Sequence, residues 1–77
     1  MAEEELLFKQ LRIVSDDTKK NQLEKILPKG SELKMIIPSK NGLKQFLYSI
    51  NPINESEKEK IEEKLDSIGI NQYYFQG

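Results

Sequence analysis

Lys40-Asn41-Gly42-Leu43 joins two apolar-rich segments, and Asn-Gly in that setting is the strongest short-range signal for a β-hairpin. A tight two-residue turn needs positive φ at both central positions, which Gly adopts freely and Asn tolerates. Such a turn also predicts a register. The pairs it places opposite each other are Ile37 with Phe46, Met35 with Tyr48, and Leu33 with Ile50. Because side chains alternate along a strand, these six residues are expected to share one face.

The other face of the predicted hairpin has a mixed character. Its members are Lys34, Ile36, Pro38, Gln45, Leu47 and Ser49. One strongly apolar face and one mixed face are typical of an antiparallel pair that packs on a core from one side only. We therefore expect helices to cover the first face and the second face to stay open.

The segments before the hairpin predict a strand and a helix. Residues 6–14 fit a strand, with Ile13-Val14 as β-branched formers, but Leu7, Leu11 and Val14 also fit one face of a helix. The strand is the interpretation we favour. Residues 15–18 offer capping oxygens and acids for a helix that runs to about Leu27.

The segments after the hairpin predict a helix and a last strand. Asn54 or Ser56 is suited to cap the helix, and Gly69 is placed to end it. Its apolar stripe consists of Ile61, Leu65 and Ile68. Residues 70–75 are rich in strand formers, although Tyr74-Phe75-Gln76-Gly77 repeats the last letters of a common engineered protease-cleavage tag.

The order of these elements predicts an α+β fold. Strand, helix, hairpin, helix and strand make the βαββαβ, or ferredoxin-like split βαβ, arrangement. It would form a four-stranded antiparallel sheet in the order 4-1-3-2, with two helices on one face. The alternative, in which the first segment is helical, has three helices and a smaller sheet. The 77 residues are expected to form a single domain.

Composition excludes several classes of function. The chain has no Cys and no His, so disulfides, thiol or imidazole catalysis and the usual zinc, copper and iron sites are not expected. No apolar stretch approaches the roughly 20 residues of a membrane-spanning helix. The acidic opening Met1-Ala2-Glu3-Glu4-Glu5 is unlike a secretory signal, and a cytoplasmic location is the default expectation.

The residue clusters that could carry chemistry have simpler explanations. Asp16-Asp17 could hold a metal ion, but helix capping explains the pair more simply. The lone Gly30 before Ser31 is not a phosphate-binding loop, and no serine has a histidine to activate it. We therefore predict a non-enzymatic protein without a cofactor.

A protein-binding role is the favoured hypothesis. On the predicted register Phe8, Ile36 and Leu47 lie on the open face of the sheet, with Arg12 beside them. An uncovered apolar patch usually marks an interface. The partner would be another protein or a second copy of the chain, forming a homodimer, and either the sheet face or a sheet edge would bind it.

Nucleic-acid binding through a local basic patch is the alternative hypothesis. The residues that would form the patch are Lys9, Arg12, Lys40 and Lys44. The net charge of −1 gives no general attraction to nucleic acid, and Phe46 and Tyr48 are predicted to face the helices and not the open face, where bases would stack.

Overall fold

The computed structural model describes residues 5–77, which form an α+β domain. In chain order the elements are β1 (Phe8–Ser15), a 3₁₀ turn (Asp17–Lys19), α1 (Lys20–Ile26), β2 (Glu32–Pro38), a second 3₁₀ turn (Lys40–Gly42), β3 (Lys44–Ile53), α2 (Glu55–Ser67) and β4 (Tyr73–Gln76). The first segment is therefore a strand, and the alternative with a helical first segment is wrong.

The strands form one antiparallel sheet in the order β2-β3-β1-β4. The long strands β1 and β3 lie in the middle, and β2 and β4 form the edges. The prediction of a four-stranded antiparallel sheet with two helices is confirmed for residues 5–77.

Both helices pack on the same side of the sheet, which we call the helix side. It is the side to which β1 directs Leu11 and Ile13 and β3 directs Phe46 and Tyr48, all of them buried. The helices contribute Leu23, Ile61 and Leu65 to the same apolar cluster, and Leu27 joins it from the end of α1. Neither helix, nor any other helix within residues 5–77, is long and apolar enough to span a membrane.

The ends of α2 follow from two residues that the sequence singled out. The Asn54 side chain accepts a hydrogen bond of 2.9 Å from the Glu57 backbone N–H, which satisfies a free donor of the first turn. Gly69 has φ +82° just after the helix, and the Ile70 N–H donates back to the Leu65 carbonyl. The Lys19 ammonium also donates to the Ile68 carbonyl at 2.7 Å, which suits the negative end of the helix dipole.

The hairpin has the predicted turn but a different register. Asn41 (φ 59°) and Gly42 (φ +75°) both adopt the left-handed conformation, as the turn requires. However, the N–H that donates to the Leu43 carbonyl belongs to Ser39 and not to Lys40. The loop thus contains one extra residue on the β2 side, and β2 pairs with β3 one position away from the predicted register. The register shifts again between Leu33 and Met35.

The new register reverses the face of residues 35–38 of β2, so that Ile37, predicted for the core face, lies opposite Gln45 on the open face. Ile36 lies opposite buried Phe46, on the helix side, whereas Met35 lies opposite Leu47 on the other face. The prediction that Ile36 points to the open face and Met35 to the core is therefore wrong. A one-residue slip reverses the face of a strand because side chains alternate with a period of two.

The start of β1 also departs from simple alternation. The pairing of β1 with β3 shifts between Phe8, opposite Ile53, and Gln10, opposite Ser49. Phe8 consequently lies on the helix side, where its ring contacts the Phe75 ring at a centroid distance of 5.8 Å. The prediction that Phe8 lies on the open face is wrong for this reason.

Candidate interaction surface on the open face of the sheet

The side of the sheet away from the helices is the open face, and its centre is a row of four residues, one from each strand. Met35 lies opposite Leu47, Leu47 opposite Arg12, and Arg12 opposite Tyr74. Residues directly opposite each other on neighbouring strands have side chains on the same face. We call this set, Met35-Leu47-Arg12-Tyr74, the central row.

Of the two rows beside the central row, one is mixed and the other is polar. The rows on either side contain Ile37, Gln45 and Val14, and Ser49, Gln10 and Gln76. No helix of residues 5–77 packs on this face, so 55% of Met35 and 60% of Tyr74 remain exposed. Leu47 is half-buried between its neighbours. A shallow depression of about 200 Å³ opens beside Met35, Leu47 and Arg12.

Arg12 carries the unpaired charge of this surface. Within residues 5–77 its guanidinium has neither a hydrogen bond nor an ion pair. The carboxylate that the described strands direct to the same face belongs to Glu32, and it lies 2.7 Å from the Lys34 ammonium. The hydrogen bond from Lys34 lowers the pKa of Glu32, so this carboxylate is ionised and already paired. The centre of the open face is therefore positive.

The structure brings together half of the residues predicted to bind a partner. Arg12 and Leu47 are direct neighbours on the open face, whereas Phe8 and Ile36 lie on the helix side. Sequence reasoning missed Met35, since only the extra residue in β2 turns it outward. It also missed Tyr74, because the predicted order placed the last strand beside the first but gave no register for that pair.

The residues predicted to bind nucleic acid do not form one patch. Lys44 lies opposite buried Ser15, on the helix side, and its ammonium is 2.6 Å from an Asp17 carboxylate oxygen. Lys40 lies in the hairpin turn and Lys9 at the register shift of β1. Of the four predicted residues, Arg12 is the one whose pairing in the sheet places it at the centre of the open face.

The two adjacent aspartates have structural partners. Asp16 accepts a hydrogen bond from the Thr18 backbone N–H at 3.1 Å, and the side-chain bond from Thr18 is the main reason why its pKa lies below the usual value. Asp17 is paired with Lys44. Within residues 5–77 no three acidic side chains are arranged to hold a metal ion.

A second depression, of about 400 Å³, lies beneath the loop after α1. Pro28 and Gly30 line it from the loop, and Tyr48 borders it from the sheet. The Tyr48 hydroxyl is buried and has no hydrogen-bond partner within residues 5–77. Burial, and to a smaller extent the charge of Glu24, raises the pKa of Tyr48. A phenol that stays protonated here is a poor base.

Comparison with known proteins adds no assignment to this geometry. No protein-family model, no curated protein and no solved structure matches the chain. A fold of this kind serves many unrelated functions, so the argument for function must come from the residues of the open face themselves.

Proposed function

We propose that this protein is a small non-enzymatic interaction module that binds a protein partner through the open face of its sheet. The observation that carries the proposal is the central row, where Met35 and Leu47 lie uncovered beside the unpaired Arg12. Exposed apolar side chains around a polar anchor are the usual composition of a binding surface. A regulatory role in the cytoplasm, without a cofactor, is part of the same proposal.

The connectivity supports assigning the fold to the ferredoxin-like split βαβ type. The order β2-β3-β1-β4, read from the opposite edge, is β4-β1-β3-β2. In that arrangement the helices occupy one face and leave the other for ligands. The assignment describes the scaffold and carries no function by itself.

The face is a better docking surface than either edge of the sheet. β2 carries Pro38, the charged Lys34 and a register shift after Leu33, which are the devices that proteins use to prevent edge pairing. β4, at the other edge, spans Tyr73–Gln76, so it has few backbone groups to which a partner strand could hydrogen-bond. Strand addition by a partner is therefore disfavoured on both sides.

The absence of catalytic residue types supports a non-enzymatic role. The chain contains no His and no Cys, Asp16 caps the 3₁₀ turn before α1 through Thr18, and Asp17 is paired with Lys44 of β3.

A peptide selection with two adjacent variants tests the proposal. Random 16-residue peptides are selected by phage display on the immobilised protein, and the binders are mapped by amide chemical shifts of ¹⁵N-labelled protein. Met35→Glu and Ile36→Glu are a matched pair, since these neighbours are 55% and 41% exposed and lie on opposite faces. We expect shifts on β1 and β3 at the open face, loss of binding in Met35→Glu and retained binding in Ile36→Glu.

Two results would contradict the proposal. One is the absence of enriched peptides, and the other is a set of binders whose shifts map to the helices and whose affinity is equal for both variants. Labelled single-stranded and duplex oligonucleotides at low salt form a parallel assay. Salt-sensitive oligonucleotide binding that Met35→Glu leaves intact would favour the alternative prediction of nucleic-acid binding.

A further inference from the structure

We infer that the segment bound by the open face presents a carboxylate to Arg12 and an apolar side chain to Met35 and Leu47. This inference rests on the proposed function and specifies its partner: an acidic-apolar peptide segment of another protein. Three observations support it, namely the position of Arg12, its lack of a partner, and the aliphatic character of its neighbours.

The position of Arg12 makes its charge decisive for binding. It lies on a central strand, directly opposite Leu47, with Met35 one strand further away. A partner that covers Leu47 must also remove water from the guanidinium next to it. A desolvated charge without a counter-charge is costly, so a partner that offers only apolar groups loses affinity at this point.

A carboxylate is the group that best compensates this cost. The guanidinium donates two parallel N–H···O bonds to a carboxylate, and such charge-assisted pairs are among the strongest hydrogen bonds in proteins. Within residues 5–77 the sheet supplies no free carboxylate on this face, because that of Glu32 is paired with Lys34 at 2.7 Å. The counter-charge is therefore assigned to the partner.

The same charge argues against a second copy of the chain as the partner. Face-to-face docking about a two-fold axis near the middle of the sheet would bring two Arg12 side chains together. Like charges in a desolvated interface repel each other, and the described strands offer no unpaired carboxylate on this face to separate them.

Nucleic acid fits the central row less well than an acidic peptide. The neighbours of Arg12 on β3 and β2 are Leu47 and Met35, which are aliphatic and do not form a stacking platform for bases. One unpaired cation would neutralise a single phosphate, whereas nucleic-acid binding usually rests on several such contacts.

The distance between the strands predicts how the acidic and the apolar residue are spaced in the sequence of the bound segment. Adjacent strands are about 4.8 Å apart, so Met35 and Arg12, two strands apart, are separated by about 10 Å across the sheet. An extended segment that crosses the strands advances about 3.3 Å per residue. Because side chains of an extended segment alternate, only residues an even number of positions apart face the sheet together, so the acidic residue and the apolar residue that contacts Met35 should be about two or four positions apart.

The experiment compares peptide selections on the natural protein and on Arg12→Gln, with circular dichroism to confirm that the variant is folded. On the natural protein we expect enriched peptides with Asp or Glu about two or four positions from a large apolar residue. For the best binder and its Glu→Gln (or Asp→Asn) twin, isothermal titration should show an affinity at least about tenfold lower for the twin. On Arg12→Gln the two peptides should bind alike.

The outcomes separate this inference from the proposed function. Peptides that map to the open face but lack acidic residues, or that bind Arg12→Gln as tightly as the natural protein, overturn the inference and leave the proposed function standing. Peptides that never bind the open face overturn both. Arg12→Lys is the additional control: it keeps the charge but loses the bidentate geometry, and we expect an intermediate affinity.

Discussion

Arg12 and Leu47 lie directly opposite each other on the two central strands, on the face that the helices leave open. One residue further along the same strands, Leu11 and Tyr48 lie opposite each other and are buried beneath the helices. The proposed binding surface and the core thus use alternate residues of the same two strands. Changes on the open face can therefore be tested without disturbing the core.

Two adjacent residues of β3 provide the sharpest test of this separation. Phe46 is fully buried, so we expect Phe46→Ala to lower the free energy of unfolding by about 3–5 kcal/mol. Leu47 is half-buried on the other face, so Leu47→Ala should cost about 1 kcal/mol or less. Urea denaturation followed by circular dichroism measures both. Equal losses in the two variants would show that the helices do not cover the assigned side.

Local signals in the sequence predicted the secondary structure of this chain well. Asn41 and Gly42 adopt positive φ, Asn54 caps α2, and Gly69 ends it in a left-handed conformation. Each of these features depends on a few neighbouring residues and on backbone conformations that only certain residue types adopt readily. The apolar stripe of α2, with Ile61 and Leu65 buried, is local in the same sense.

The candidate site was predicted only in part, because it depends on pairing between strands. The hydrogen bond from Ser39 to Leu43, in place of one from Lys40, moves the register of β2 by one residue and exchanges Met35 with Ile36. No residue type in the hairpin marks this extra position. Arg12 and Leu47 were correctly placed since β1 and β3 alternate regularly over that stretch.

The two glycines with positive φ that flank β2 should differ in their tolerance of a side chain. Gly30 and Gly42 have φ +86° and +75°, so an Ala at either site adopts a left-handed conformation that costs about 1–2 kcal/mol. A Cβ at Gly42 meets nothing within 4 Å, whereas one at Gly30 would lie 2.5 Å from Nδ2 of Asn51. That amide donates to the Lys29 carbonyl at 2.9 Å.

We therefore expect Gly30→Ala to be more destabilising than Gly42→Ala in thermal or urea unfolding. Displacement of the Asn51 amide adds the loss of one hydrogen bond, about 1 kcal/mol, to the backbone cost. Asn51→Ala removes the obstacle, so Gly30→Ala should cost less in that background than in the natural chain. Identical costs for Gly30→Ala in both backgrounds would contradict the contact.

The N-cap of α2 should contribute measurably to stability. Asn54→Ala leaves the Glu57 N–H without its side-chain acceptor, and we expect a loss of about 0.5–2 kcal/mol in the free energy of unfolding. Asn54→Asp keeps an acceptor oxygen and adds a negative charge at the positive end of the helix, so it should restore most of the stability. If Asn54→Asp is as unstable as Asn54→Ala, the cap is not the source of the effect.

The Tyr48 hydroxyl should be dispensable for folding. It is buried without a hydrogen-bond partner in the described part of the chain, so Tyr48→Phe removes a desolvated polar group and keeps the ring in the core. We expect the free energy of unfolding to stay equal or to rise by about 1 kcal/mol. A loss larger than that in urea denaturation would mean that the hydroxyl has a partner in solution.

The same residue predicts a dependence of stability on alkaline pH. Burial raises the pKa of Tyr48 in the folded state above the value of 10.0 that applies when the chain unfolds. Below that pH the phenol is protonated in both states and has no effect. Above it the unfolded chain releases the proton and the folded chain retains it, so unfolding is favoured and stability falls with rising pH. Tyr48→Phe should lose this part of the decline between about pH 9.5 and 11, because every other ionisable side chain is common to both proteins. Parallel stability curves for the two proteins across this range would show that the phenol is not buried.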